Sequence, residues 1–240
     1  MQYIEVTELA GVRSALIRFR GRGTALTFEL YPMVHLAEPA FYQEVTARLR
    51  ASCDLVIAEG VQGSTATRAL TRSYRGLAGH ERLGLVVQDI DFATLGVPVV
   101  CPDMSGEEFD ERWRRVPLRE RATLAALVPA YVAGMRLLGT RRFLARHLQL
   151  EDLPRGAEEE SADFHPEVEE LVVHRRDRLL IDAVTHVHRA RAGRPEPFTA
   201  GILYGAGHMR AVTTALMDLG YRPAGSQWLT VFALDDPATG

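Results

Sequence analysis

The stretch Gly201-Ile202-Leu203-Tyr204-Gly205-Ala206-Gly207-His208-Met209 constrains the possible folds of this chain more than any other. Ile202, Leu203 and Tyr204 form an unbroken apolar run, as a strand covered on both faces requires. Gly205 and Gly207 permit a tight turn, through positive φ or close approach of another group. From Met209 to Leu219 the pattern predicts a helix, stopped at Gly220 as a C′ residue. A buried strand, a glycine turn and a helix in that order point to an α/β sheet with parallel strands. His208 then falls at the C-terminal edge of the sheet, where such sheets place ligands. A turn with a capping histidine accounts for the same residues without any ligand.

The N-terminal third predicts three strands, Tyr3 to Leu9, Val12 to Phe19 and Thr24 to Tyr31, joined by glycine-containing hairpin turns. A helix follows from Pro39 to Arg50, then the short apolar run Leu55-Val56-Ile57-Ala58. Leu83 to Gln88 and Pro98 to Cys101 are further strand candidates. Ser105 with Glu108 forms a capping-box pattern, and Pro117 to about Gln149 reads as mostly helical. Leu153 to Asp163, with Pro154, Gly156 and three consecutive glutamates, reads as a surface loop. Pro166 opens a helix to about Ala192, and the last strand is Trp228 to Leu234. The 240 residues thus describe one α/β domain. Its sheet is mixed and mainly parallel, flanked by helices, with N-terminal β-hairpins and a helical insertion at about 105–190.

Three predicted strands run out into polar residues: His35, Glu59 and His208. At the C-terminal edge of parallel strands, two imidazoles and a carboxylate suit a divalent metal with a water in the open position. They equally suit acid and base work without a metal. Taken alone, Glu59 reads as a solvated strand end. Asp103 also ends a strand, and the turn before a capped helix explains it. In the Pro166 helix, Val168, Leu171, Val172, Leu179 and Ala183 make one apolar stripe at helical spacing. Arg175 and Asp182 fall on that stripe and Arg176 at its margin. An arginine there either snorkels to solvent or holds an anion in the site.

Four short patterns in this order resemble the TraB/PrgY/GumN/TIKI superfamily, which includes relatives of the erythromycin esterases. Pro32-Met33-Val34-His35 stands where that superfamily has Gly-X-X-His, with proline for glycine. Val56-Ile57-Ala58-Glu59-Gly60 resembles its strand-ending glutamate motif. Arg176-Asp177-Arg178 resembles its Glu-Arg-(Asp/Asn) helix motif, with Arg175 in the glutamate position. Gly205-Ala206-Gly207-His208 resembles its second histidine motif. The resemblance implies a hydrolase, protease- or esterase-like, acting on a small molecule or peptide. It implies His35, Glu59, Arg176 and His208 as catalytic residues. Two histidines and a carboxylate suit manganese, cobalt or zinc on His35, Glu59 and His208, and Arg176 would orient Glu59 or stabilise an oxyanion. A module that keeps the pocket for binding or signalling is the alternative, since fold does not fix function.

Composition removes several classes. The net charge of −3 implies no general pull toward nucleic acid or anionic membrane. The chain has no lysine, which excludes Schiff-base lysine chemistry and a Walker-type phosphate loop. No nucleotide cofactor is expected, because Arg210 replaces the third glycine of a dinucleotide fingerprint. Cys53 and Cys101 make no disulfide framework. The longest apolar run, Ala122 to Met135, is interrupted by Pro129 and falls short of the roughly 20 residues of a membrane helix. With no secretory pattern at the N-terminus, a soluble, cytoplasmic protein is expected.

Overall fold

The computed structural model describes residues 1–60, 83–88, 90–126, 140–146, 150–151 and 166–235. Its strands are β1 (Gln2–Thr7), β2 (Gly11–Gly21), β3 (Leu26–Met33), β4 (Leu36–Ala37), β5 (Leu55–Ala58), β6 (Val86–Val87), β7 (Val99–Val100), β8 (Leu150–Glu151), β9 (Phe198–Gly205) and β10 (Tyr221–Phe232). Its helices are α1 (Pro39–Ser52), α2 (Gly106–Arg115), α3 (Arg141–Ala145), α4 (Pro166–Glu169), α5 (Arg175–Arg191) and α6 (Met209–Asp218). Residues 118–126 are also helical. The expected surface loop of residues 153–163 lies outside the described residues.

The main sheet is mixed, in the order β7-β5-β9-β3-β2-β1-β8, with β10 also paired to β2. Strands β7, β5, β9 and β3 are parallel neighbours, and the remaining pairings are antiparallel. Strand β10 follows β2 along residues 12–21. A strand has two edges, so β1 and β3 share the other edge of β2, at opposite ends.

The doubly covered strand expected at residues 202–204 is β9, held between β3 and β5. Alternation sorts the side chains of the parallel half onto two faces. Tyr31, Met33, Val56, Ala58 and Leu203 pack with Phe41, Val45 and Leu49 of α1. Leu30, Ile57, Ile202 and Tyr204 pack with Leu180, Val184 and Val187 of α5 and with Met209, Val212 and Leu216 of α6. Each of these buried aliphatic side chains contributes roughly 1.5–3 kcal/mol. Helix α6 ends as its sequence predicts, with Gly220 at φ 88°.

Several boundaries differ from the sequence reading, each for a local reason. The expected strand from Leu83 to Gln88 shrinks to β6, because Gly84 turns at φ 57°. Strand β6 pairs with β4 in a separate two-stranded sheet. Strand β10 begins at Tyr221 and not at Trp228. Pro223 and Gly225 sit at an irregularity in its ladder, where a strand tolerates both residues. Leu150–Glu151, expected at a helix end, adds to β1 as a strand. Among the described residues no helix is long and apolar enough to cross a membrane.

The most consequential difference is in the α4–α5 helix. A π-helical turn, Glu170–His174, joins the two segments. A π turn inserts one extra residue and rotates everything after it. The apolar stripe therefore passes from Val168 and Leu171 to Leu180, Val184 and Val187, one position later than uninterrupted α spacing gives. Val172, on the expected stripe, is 38% exposed, whereas Leu180 is fully buried. Leu180→Ala should accordingly cost about 2–5 kcal/mol in urea unfolding, and Val172→Ala should stay within roughly 0.5 kcal/mol of wild type. The reverse ranking would contradict the shifted register.

Candidate active site

Glu59 is the first residue past β5, and its N–H donates to the Leu203 carbonyl of β9 at 2.9 Å. It shares the side-chain parity of Ile57, so its carboxylate lies on the face covered by α5 and α6. There Glu59 Oε2 accepts the Gly205 N–H at 2.5 Å. A Cβ on Gly205 would stand 3.0 Å from that same oxygen. Gly205 has negative φ, so close approach, and not an unusual backbone angle, explains the glycine.

Arg176, in the first turn of α5, reaches down onto the strand ends. Its Nη2 donates to Glu59 Oε1 at 2.6 Å and to Asp103 Oδ2 at 2.7 Å. Its Nε lies 3.1 Å from Asp103 Oδ1. The Asp103 side chain is fully buried. It also accepts the N–H groups of Gly60 at 3.2 Å and Met104 at 2.9 Å. Asp103 therefore joins the loop after β7 to the end of β5 and to the arginine. The neighbouring Ser105 caps α2 by accepting the Glu108 N–H at 3.1 Å. The bland explanation of a turn before a capped helix thus accounts for Ser105 but not for the buried Asp103.

Arg175 behaves differently from its neighbour. It turns away from the strand ends, toward Glu108 of α2, at 3.4 Å. The extra residue of the π turn sets this choice, placing Arg176 where uninterrupted α spacing would have favoured Arg175.

His208 closes the turn after β9 and is buried. Its Nδ1 lies 2.7 Å from Asp177 Oδ1. A carboxylate accepts only, so Nδ1 carries the proton and Nε2 holds the lone pair of the neutral ring. The Tyr204 ring meets the His208 ring edge-on, with centroids 5.6 Å apart. The Tyr204 hydroxyl is buried without a hydrogen-bond partner among the described residues. Burial pushes its pKa up, and Asp103 and Glu59 add to that rise against Arg176.

Asp177 was not singled out in the sequence, yet it supplies half of the dyad. The signal was its place next to Arg176 in the helix motif. Consecutive helical residues point about 100° apart, which lets one helix serve both the Glu59–Asp103 pair and His208.

His35 does not join this group. It lies two residues beyond the last residue of β3, where strand alternation no longer applies. The chain leaves the main sheet at Met33 and turns into β4. There His35 is exposed, and its carbonyl accepts the Gln88 N–H at 3.0 Å. Register places Pro32 opposite Tyr204, so Pro32 is the β3 residue level with Glu59. Among the described residues, no group of three or more His, Cys, Asp and Glu side chains is placed to hold a metal ion. The set His35, Glu59 and His208 is therefore not assembled. Both Glu59 oxygens and His208 Nδ1 are already engaged by protein groups. The structure brings together Glu59, Arg176, Asp103, His208 and Asp177.

Burial alone would raise the pKa of Glu59. Arg176, the nearby His208 and the Gly205 N–H outweigh it and hold the carboxyl below its ordinary value of 4.5. The Arg176 guanidinium loses to burial but gains more from Asp103 and Glu59, so its pKa moves up. Comparisons with protein-family models, with curated proteins and with solved structures find no match.

Removing Arg176 leaves two carboxylates buried without their cation. Arg176→Ala should cost roughly 3–5 kcal/mol in equilibrium unfolding, and Arg175→Ala about 1 kcal/mol or less. The pH dependence has a definite sign. Glu59 titrates lower in the folded than in the unfolded chain, so its contribution is complete above the unfolded pKa. It is lost as the pH falls through the folded one. The stability gap between wild type and Glu59→Gln should be constant above about pH 5 and narrow below it. A gap that stays constant at lower pH would rule out Glu59 as the titrating partner. Tyr204→Phe, which removes only the unpartnered hydroxyl, should be at least as stable as wild type in the same assay.

Proposed function

We propose that this protein is a hydrolase of ester or amide carbonyls, with His208 as general base. The Asp177–His208 pair carries this reading. A carboxylate on Nδ1 fixes the tautomer, leaves the lone pair on Nε2 and stabilises the imidazolium that forms. In the reaction, Nε2 takes a proton from water, and the hydroxide adds to the carbonyl carbon. The carbonyl π electrons move to oxygen, which becomes the oxyanion. Arg176 supports that charge through Nη1, the guanidinium nitrogen not engaged by Glu59 or Asp103. Collapse of the adduct expels the leaving group, which takes the proton back from His208. Glu59, ionised and held at both oxygens, is a positioning residue that fixes the guanidinium. Asp103 does the same from the other side.

This assignment keeps Glu59, Arg176 and His208 of the expected catalytic set, adds Asp177 and uses no metal. The resemblance to the TraB/PrgY/GumN/TIKI superfamily supports a hydrolase but favours a metal. The donor arrangement supports the dyad.

The test is a panel of p-nitrophenyl esters and fluorogenic peptides, assayed with and without chelator and with added manganese, cobalt or zinc. Wild type should turn over at least one substrate class and keep its rate in chelator. His208→Ala should lower that rate roughly 10²–10⁴-fold. Asp177→Asn should lower it comparably while the protein stays folded. Activity that needs added metal and disappears in His35→Ala would replace the dyad with the metal reading. No turnover by folded wild type would leave the site to ligand binding alone.

A further inference from the structure

Below the candidate active site, on the same face of the sheet, runs a groove of about 550 Å³. Its walls are Ile57 of β5, Val100 of β7, Phe198 of β9, and Ala183 and Val187 of α5. It opens at the edge of the sheet, where Val100 is 46% exposed. Its volume and its largely apolar lining are those of a small-molecule site. Val100 is an apolar side chain left in water at a strand end, within a continuous apolar strip.

The polar groups of the groove are few and unequal. Asp54 lies on its wall, but its carboxylate accepts the Thr199 N–H at 2.8 Å. His186 is exposed beside it. Arg191, the last residue of α5, lays its guanidinium over the Phe198 ring at 4.0 Å. Among the described residues no carboxylate pairs with Arg191. A guanidinium that no described carboxylate pairs with therefore stands at one end of an apolar channel, with the Asp54 carboxylate held to the Thr199 N–H on the wall of the same end.

Register gives the dimensions. Ile57 stands opposite Ile202, four residues along β9 from Phe198, so the groove spans about 13 Å along the strands. Its upper end at Ile57 is two residues, or about 7 Å, below Glu59. Ala183, Val187 and Ala190 fall within about 40° of Arg176 around the α5 axis. The groove is thus a continuation of the helix face and strand face that carry the candidate active site.

We infer that this groove binds a small amphiphilic anion, an alkyl or aryl carboxylate, with its carboxylate on Arg191 and its apolar body between α5 and β5–β7. The apolar walls supply affinity, and Arg191 selects the charge of the head group. The inference rests on the groove itself and stands apart from the hydrolase reading, because it concerns binding without turnover.

The test is calorimetric titration of the full chain with octanoate, 1-octanol and octyltrimethylammonium. Octanoate should bind with a Kd below about 1 mM. It should bind about tenfold more tightly than octanol, and the cation more weakly than either. Arg191→Gln should reduce octanoate to the octanol value and leave octanol unchanged. Ala183→Trp, which fills the groove, should weaken both octanoate and octanol at least tenfold. If circular dichroism shows that this variant does not fold, Val100→Glu at the exposed wall should weaken octanoate by the same margin. Equal affinity for all three ligands would mean an indiscriminate apolar surface and would overturn the proposal. So would octanoate binding that survives Arg191→Gln and the wall substitution, or no octanoate binding below 1 mM.

Discussion

The guanidinium of Arg176, held between Glu59 and Asp103, is the interaction on which the upper half of this structure depends. It joins three segments far apart in sequence: the end of β5, the loop after β7 and the first turn of α5. Moving one arginine and two carboxylates out of water costs several kcal/mol per ion before any attraction is counted. The cost is offset because the pairing is nearly complete. Asp103 accepts two backbone N–H groups besides the arginine, and Glu59 accepts a third from Gly205. An apolar cluster of equal volume would hold these elements together at least as well. The ionic arrangement makes sense for a site that needs a cation fixed in position between three segments.

The parallel half of the fold was legible in the sequence because its signals are local. An unbroken apolar run, a glycine turn, a capped helix and a C′ glycine each report on a few neighbouring residues, and each lies close to its expected place. Errors fell where distant parts of the chain decide. Pro223 and Gly225 hid the first half of β10, since edge pairing with β2 is what makes an irregular strand there tolerable. The Leu83–Gln88 run is apolar because Leu83 and Leu85 are buried in the α1-side core. That burial needs no long strand.

The site was legible in part for the same reason. Glu59 and His208 follow the ends of adjacent strands, β5 and β9, and the apolar runs mark both ends. His35 follows a strand too, but the chain leaves the main sheet at Met33 and carries His35 into the bend before β4. Nothing in the residues near His35 carries that information, because pairing is set across the sheet. The choice between Arg175 and Arg176 was equally hidden. It turns on one inserted residue in a π turn, and apolar periodicity averages over such an insertion. Asp177 was hidden by its exposure to a competing explanation. An acidic residue in the first turn of a helix is favourable for the helix dipole alone.

The π turn also gives the site its division of labour. Because Arg176 and Asp177 are consecutive, they point about 100° apart, one into the carboxylate pair and the other toward the turn after β9. A pure α-helix with the same sequence would bring Arg175 and Arg176 into these positions. That pairing would set a guanidinium against the His208 ring, where no tautomer is fixed and no imidazolium is stabilised. The inserted residue therefore decides whether the histidine faces a carboxylate or a cation. Its position one turn before Arg176 places that decision at the start of a helix that touches both halves of the site. Glu170–His174 is accordingly a part of the site that touches none of its chemistry. It acts by setting the phase of the helix on which Arg176 and Asp177 stand.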